Sequence, residues 1–527
     1  MNKVQVRAVR PANAVLRPMV AAVSMVLLLS VLGLVLFATF RSPLKDDIAW
    51  LLYVARRWMA GRELYVDVVE VNPPLIIWIS AIPVELARWF HVDAQFTAMS
   101  IFIAGVLGSA WWCATLLRQP DTLFADRLPV FAVAGIVLLL VPAAELGQRE
   151  HLLIAATLPY LVLFARSLDG EKPAPVAALL AGVLAGLGCA LKPRYGAVFA
   201  VLEILALTRG LRPWRLMPLA AGFTLAAYAA LIALLCPAYL RRAVPLALAL
   251  YGGTDVSFMD MLNATALILA GQAIAVVLWW LRGRRLPERN LMLTLVVFAA
   301  TSTVICFVDG KDWYYHRLPA SIVTVLALVL WAASELVHRH LTFRRLALPL
   351  TFAGVAVAVF GYVSIQHLEP EVEQAVEPQD TTVARLEQLV RTQHARTYIA
   401  FSEWIALGFP VVNNTGVTWA SRFDSMWALK GELWRAHFDP SATRQWPVAR
   451  WVVHDFITGC PDLAVVDTRE PTNYIGVLSA ASPAFARAWS RYHLIATFNG
   501  LNVYRRGKAG CVDSWVAAEA KPTTAIR

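Results

Sequence analysis

Two adjacent carboxylates stand where a long apolar run ends. In FRSPLKDDIAWLLYVARRWM (residues 40–59), Asp46 and Asp47 open a segment in which Ile48, Leu51, Leu52, Ala55, Trp58 and Met59 recur at helical spacing. Arg56 and Arg57 lie off that stripe, so the segment suits an amphipathic helix at a membrane surface. Aspartate is a favoured N-cap, and negative charge stabilises a helix N-terminus. One cap needs only one carboxylate; the other stands in a position suited to a general base.

Three further groups carry ionisable residues next to apolar runs. LKPRYG (191–196) sets Lys192 and Arg194 about Pro193, either as a turn with snorkelling cations or as a place for an anion. DGKDWYYHRLPA (309–320) offers Lys311, His316 and Arg317, with Asp309 and Asp312 able to neutralise part of that charge. It reads as a phosphate site or as an internally paired loop, and its Trp313, Tyr314 and Tyr315 fit an interfacial aromatic belt. In ELGQREH (145–151), Glu145, Arg149, Glu150 and His151 re-enter an apolar helix. A charge at the centre of a span costs roughly 2.5–3.5 kcal/mol, so these four are either functional or an Arg–Glu pair pinning two helices. No second His or carboxylate lies at ligand spacing from His151, so no metal motif is present. In VVNNTGVTWASRFDSMW (411–427), Trp419, Arg422 and Trp427 form a carbohydrate-facing loop or ordinary core.

The elements that must position these residues are mostly membrane spans. Of 527 residues, 58% are hydrophobic and only 16% charged. Apolar runs fall near 18–40, 96–117, 128–145, 150–166, 174–191, 194–208, 215–236, 261–281, 290–308, 318–337 and 346–366. The expected fold is an α-helical polytopic membrane protein of about eleven transmembrane helices, residues 18–366, with a small extracytoplasmic α/β domain at the C-terminus. The basic leader 1–17 (Lys3, Arg7, Arg10, Arg17) is expected in the cytoplasm, and the first run is a retained anchor.

Segment 72–90 is interrupted by Pro83 and carries Glu85 and Arg88. If it does not cross, RGLRPWR (209–215), LRGRRLPER (281–289) and HRHLTFRR (338–345) all fall inside, as the positive-inside rule requires. Residues 41–95 are then a large external loop of surface-lying helices, and the acidic pair, the cationic turns and everything after 367 share one face. The net charge of +11 lies mostly in loops between runs, and no nucleic-acid module, P-loop, GxSxG or paired CxxC is present. HLEPEVEQAVEPQDT (367–381) reads as a linker. Residues 382–527 alternate β-like runs (TYIAF, LAVVD, HLIATF, LNVYRR) with helical or loop stretches. Cys113, Cys189, Cys236 and Cys306 lie in apolar runs. Cys460 and Cys511 lie in the polar part, as a disulfide if that part is outside the cytoplasm or else as two thiols.

The order of parts resembles the GT-C membrane glycosyltransferases, and within them the protein O-mannosyltransferase and aminoarabinose-transferase type. The residues that carry the resemblance are the DD pair, the Y-x-D…PPL-x-x-W pattern in GRELYVDVVEVNPPLIIW (61–78) and the cationic external loops. The resemblance implies an integral protein of a bacterial inner membrane, in contact with membrane lipids. It would move a sugar, with inversion, from a polyprenyl-phosphate carrier to a glycan, lipid or protein acceptor of the cell envelope. Asp46 would be the base with Asp47 beside it, and Lys192, Arg194, Lys311, His316 and Arg317 would hold the lipid phosphate. Many members carry Lys or His before the proline pair; here Asn72 stands there and adds no charge. Such a transfer needs no cofactor, although an acidic pair can bind a metal. A lipid or polysaccharide transporter, or a non-catalytic envelope assembly protein, are the competing classes.

Overall fold

Each of the eleven apolar runs lies on helical chain. In this computed structural model, residues 12–119, 122–281, 283–338, 343–439 and 441–507 are described. Lys3, Arg7, Arg10, Arg282, the 339–342 part of HRHLTFRR and Cys511 lie outside the described residues. Among the described residues, eight helices are long and apolar enough to cross a membrane, from Pro18–Arg41 to Leu348–Val376. Arg127–Leu140 and Pro175–Leu191 are shorter apolar helices. At 1.5 Å per residue the latter extends about 25 Å. The chain is therefore an α-helical polytopic membrane protein with a small C-terminal sheet.

Its contacts divide into two units, one of Met1–Ala38, Ser100–Ala226 and Phe258–Pro370, the other of Thr39–Met99, Ala227–Ser257 and Glu371–Arg527. In the first unit, small residues set how closely helices approach. A Cβ on Gly182 would stand 2.4 Å from the Met217 carbonyl oxygen, and one on Gly186 would stand 2.8 Å from that of Ala221. Gly182 and Gly186 are four apart, a spacing that lets Pro175–Leu191 lie backbone to backbone against Leu216–Leu235.

The second unit holds a five-stranded sheet: β1 (Thr397–Phe401), β2 (Thr418–Trp419), β3 (Leu463–Asp467), β4 (Tyr492–Phe498) and β5 (Leu501–Arg506). Its order is β2-β1-β3-β5-β4. β1 runs parallel to β2 and β3, while β5 is antiparallel to β3 and β4. Central β1 and β3 read as near-continuous apolar runs because both faces are covered. Asn499 and Gly500 at φ 49° and 70° make the β4–β5 turn, where both central positions of a tight hairpin require positive φ. Four strands match the β-like runs in the sequence; the two-residue β2 gave no comparable signal. Cys460 is disulfide-bonded, and Cys113, Cys189, Cys236 and Cys306 are free.

Two expectations need correction. The helix Asp46–Met59 does not spend its apolar face on a membrane surface: Ile48, Trp50, Leu52 and Ala55 are buried within the second unit. Trp50 and Tyr53 meet Phe409 with ring centroids 5.0 and 5.1 Å apart, and the Asn413 amide donates to the Ala49 carbonyl at 2.9 Å. The α/β part accordingly does not stand by itself but packs with 39–99 and 227–257, because each supplies apolar surface the other covers. The 367–381 segment is mostly the end of one long helix, Phe343–Val376, followed by a short turn at Pro378–Asp380, and the boundary between the two units falls within it, at Pro370/Glu371. Its Glu, Val, Gln and Ala residues propagate a helix already nucleated by the span before it.

Within this unit Glu432 accepts the Ala449 N–H at 2.7 Å, at the start of helix Val448–Gly459, and is only 6% exposed. Burial pushes its carboxyl from 4.5 to about 7. A raised carboxyl favours the folded state fully below pH 4.5, and that contribution is lost as pH rises through about 7. Glu432→Gln keeps the acceptor and cannot ionise. Its melting temperature should equal wild type near pH 4.5 and exceed it near pH 8 by the equivalent of about 1–3 kcal/mol. An equal shift at both pH values would refute the buried-charge account.

Candidate active site

The acidic pair sits at the first turn of Asp46–Met59, but the N-cap position belongs to Lys45, whose side chain makes no cap. Asp46 Oδ1 instead accepts the Asp47 N–H at 2.9 Å, satisfying one otherwise orphaned donor. Both carboxylates are half-buried. Burial raises the Asp46 carboxyl above its usual range; Lys45 opposes the shift and Asp47 adds to it. A carboxylate so placed takes up a proton more readily than one in water.

Two further acids that sequence reasoning missed belong to the same unit. Glu70, 3% exposed, accepts Trp50 Nε1 at 2.5 Å, and its other oxygen accepts both the backbone N–H and the side-chain amide of Asn72, at 2.7 and 2.5 Å. Asn72 therefore has a definite use: it neutralises nothing, but it holds the Glu70 carboxylate by charge-assisted hydrogen bonds. Asp424 accepts from the Ser425 N–H at 2.7 Å and from Trp427 Nε1 at 2.8 Å. Its carboxyl is pushed well up, first by burial, then by the charges of Glu70 and Asp47. Asp424 thus lies within electrostatic reach of both Asp47 and Glu70. The only signal in the sequence was a lone acid inside each of two apolar stretches, VVEVNPP and SRFDSMW. Among the described residues, no group of three or more His, Cys, Asp or Glu could hold a metal ion.

Trp419 is core: it is 4% exposed, packs on Tyr398 and Phe409, and donates Nε1 to the Phe423 carbonyl at 2.7 Å. Trp427 is 7% exposed and meets Tyr251 edge-on. Arg422 forks onto Asp455 at 2.7–3.1 Å, and its carbonyl accepts the Val69 N–H at 2.8 Å. His454, 3.5 Å away, and the Arg422 guanidinium together outweigh burial and hold the Asp455 carboxyl below its usual range.

The cationic candidates belong to the first unit. The 3-10 turns Pro193–Tyr195 and Tyr314–Arg317 and the N-terminus of Arg149–Leu168 bring them together. Lys192 Nζ lies 2.6 Å from Glu150 Oε1, and Arg194 pairs with Asp309. His316 sits between these pairs, 3.8 Å from Glu150 and 3.6 Å from Asp309, with Nδ1 buried and lacking a hydrogen-bond partner. Lys192, Arg149, Lys311 and Arg194 all act electrostatically on His316, in a neighbourhood that also holds the carboxylates of Glu150 and Asp309. Lys311 is 3% exposed and lies over the Trp313 ring; Arg149 and Lys192 lie near the Tyr315 face. Arg317 donates to the Ala264 carbonyl. Glu145 accepts from the Gln148 amide at 3.2 Å. His151 is fully buried and satisfied on both nitrogens, accepting from the Gly147 N–H at 3.1 Å and meeting the Leu138 carbonyl at 2.8 Å. It fixes the chain's re-entry into the helix and offers no free group to a ligand. In this cluster cations and carboxylates interleave, with Lys192 and Arg194 each held by an acid.

Fold and residues together define a multi-pass α-helical membrane protein carrying the acids Asp46, Asp47, Glu70 and Asp424 in one unit and a cluster of ion-paired cations about His316 in the other. No family model matches the chain, and no curated protein matches it. A solved structure of the arabinofuranosyltransferase AftD from mycobacteria is similar at a TM-score of 0.38 and 15% sequence identity, covering 93% of this chain and 40% of that one. The chain thus spans 40% of that protein's length, and a likeness at this score carries no argument.

Proposed function

We propose that the chain is a GT-C-type inverting glycosyltransferase, moving a sugar from a polyprenyl-phosphate carrier to a cell-envelope acceptor outside the cytoplasm. The observation that carries this reading is the Asp46–Asp47 pair: a half-buried carboxylate of raised proton affinity, as a general base requires, at the position where the GT-C resemblance puts the base. Asp46 takes the acceptor hydroxyl proton as that oxygen bonds to the anomeric carbon. The carbon–oxygen bond to the carrier phosphate breaks, and its electron pair leaves with the polyprenyl phosphate.

The gathering of Lys192, Arg149, Lys311 and Arg194 about His316 supports a role for Lys192, Arg194, Lys311, His316 and Arg317 toward the phosphate. Lys192 and Arg194, each committed to a carboxylate, would act through charge while Glu150 and Asp309 hold them in place. The disulfide at Cys460 supports an oxidising compartment for the C-terminal part. Membranes containing the chain, incubated with defined polyprenyl-phosphate sugars and envelope acceptors, should yield a glycosylated product by mass spectrometry. Movement of the lipid-linked sugar across the bilayer without bond exchange would replace this reading with a transporter.

A further inference from the structure

A cavity of about 370 Å³ opens in the second unit, lined among others by Tyr65, Arg241, Arg242, Arg422, Trp446 and Trp451. Its volume falls toward the low end of small-molecule sites, roughly 300–1,000 Å³, which suits a small saccharide. No carboxylate is among its lining residues.

The walls are built from unusual backbone. Arg241 and Arg242 come from a π-helical turn, Tyr239–Ala243, a rare insertion that recurs at functional sites. Tyr65 is held at φ 68°, a strained conformation for a bulky residue, with its ring 5.1 Å from Tyr239 and its hydroxyl donating to the Asn72 carbonyl at 2.9 Å. Trp446 and Trp451 meet edge to face at 6.3 Å, and the buried Trp446 Nε1 has no hydrogen-bond partner. A buried indole N–H without an acceptor is costly in a finished structure, so an acceptor from a ligand fits it. Arg422, held by an ion pair with Asp455, places its guanidinium rigidly at the wall, so Arg241 and Arg242 are the cations offered to an anion.

We propose that this cavity binds an acidic saccharide, a sugar bearing a carboxylate or phosphate, as the recognition element of the acceptor. The arginines suit the anion, the aromatic rings suit the apolar faces of a sugar, and Trp446 Nε1 suits a hydroxyl or ring oxygen. The chain also links this cavity to the acidic group: Tyr65 bonds Asn72, and Asn72 bonds Glu70. Assigning the saccharide to the acceptor rests on the glycosyltransferase reading; binding does not, and is measured without donor.

The test uses the full chain in detergent, titrated with a hexuronate trisaccharide and the matching neutral hexose trisaccharide, following tryptophan fluorescence. The acidic sugar should bind about tenfold tighter or better, as expected for charge-assisted bonds. Arg241→Gln with Arg242→Gln should erase the difference, while Arg241→Lys with Arg242→Lys should keep most of it. Equal binding of both sugars overturns the proposal, as does an unchanged preference in the glutamine variant. Inorganic phosphate binding as tightly as the acidic sugar would mean a bare anion site, and polyprenyl phosphate displacing the sugar more strongly would mean a lipid headgroup site; each overturns it. Binding as expected with no transfer from any donor would instead count against the glycosyltransferase reading alone.

Discussion

Asp46→Asn should lose sugar transfer, with kcat falling about 10²–10⁴-fold, the usual range for removal of a general base. The amide keeps an oxygen for the Asp47 N–H, so the first turn of Asp46–Met59 stays intact and insertion and thermal stability should match wild type. The neighbour separates catalysis from helix stabilisation. Asp47 raises the Asp46 carboxyl by its charge, so Asp47→Asn should retain transfer and shift the acidic limb of the pH–rate profile to lower pH. In wild type that limb should lie above the ordinary carboxylate value of 3.8, because the base works only when deprotonated and its proton affinity is raised. Unchanged turnover in Asp46→Asn would remove the residue from the mechanism. Equal losses in both variants would turn the pair into a structural feature of the helix start.

Trp50→Ala should be among the most damaging substitutions in the second unit. The side chain is 1% exposed, packs edge-on against Phe409, and donates Nε1 to Glu70 at 2.5 Å. Truncating a buried tryptophan costs about 3–5 kcal/mol, and stripping a donor from a buried carboxylate adds about 1–3 kcal/mol. Trp50→Phe separates the two losses: it keeps ring packing and removes only the donor, so it should cost about 1–3 kcal/mol. The readout is the denaturant midpoint of the full chain in detergent, with limited proteolysis of the α/β part. A loss under about 1 kcal/mol for Trp50→Ala would mean that Asp46–Met59 is not held by the C-terminal residues.

Much of the architecture was legible because it rests on local signals. A span declares itself by composition over about 20 residues, and each apolar run is helical. β1, β3, β4 and β5 were legible from runs of β-branched and aromatic residues, and the Asn499–Gly500 turn carries the residue types that positive φ demands. The helix Asp46–Met59 was equally legible, but its environment was not. An apolar stripe says that a face will be buried and leaves open whether lipid or protein buries it; Phe409 and Asn413, more than 350 residues on, decide that.

The acidic residues divide the same way. Asp46 and Asp47 stood out because they are adjacent and follow a span, whereas Glu70 and Asp424 are single acids far apart in the chain. Only folding brings Glu70 onto Trp50 and sets Asp424 in the field of Glu70 and Asp47. For the cations, the sequence determined that Lys192, Arg194, Lys311, His316 and Arg317 adjoin apolar runs. The tertiary structure decided that Lys192 pairs with Glu150 and Arg194 with Asp309, and that both cations act on His316 together with Arg149 and Lys311. Composition and periodicity are properties of neighbours along the chain, so the sequence by itself determined the apolar helices and four of the five strands. Charge pairing and burial are properties of neighbours in space, and those only the tertiary structure could decide.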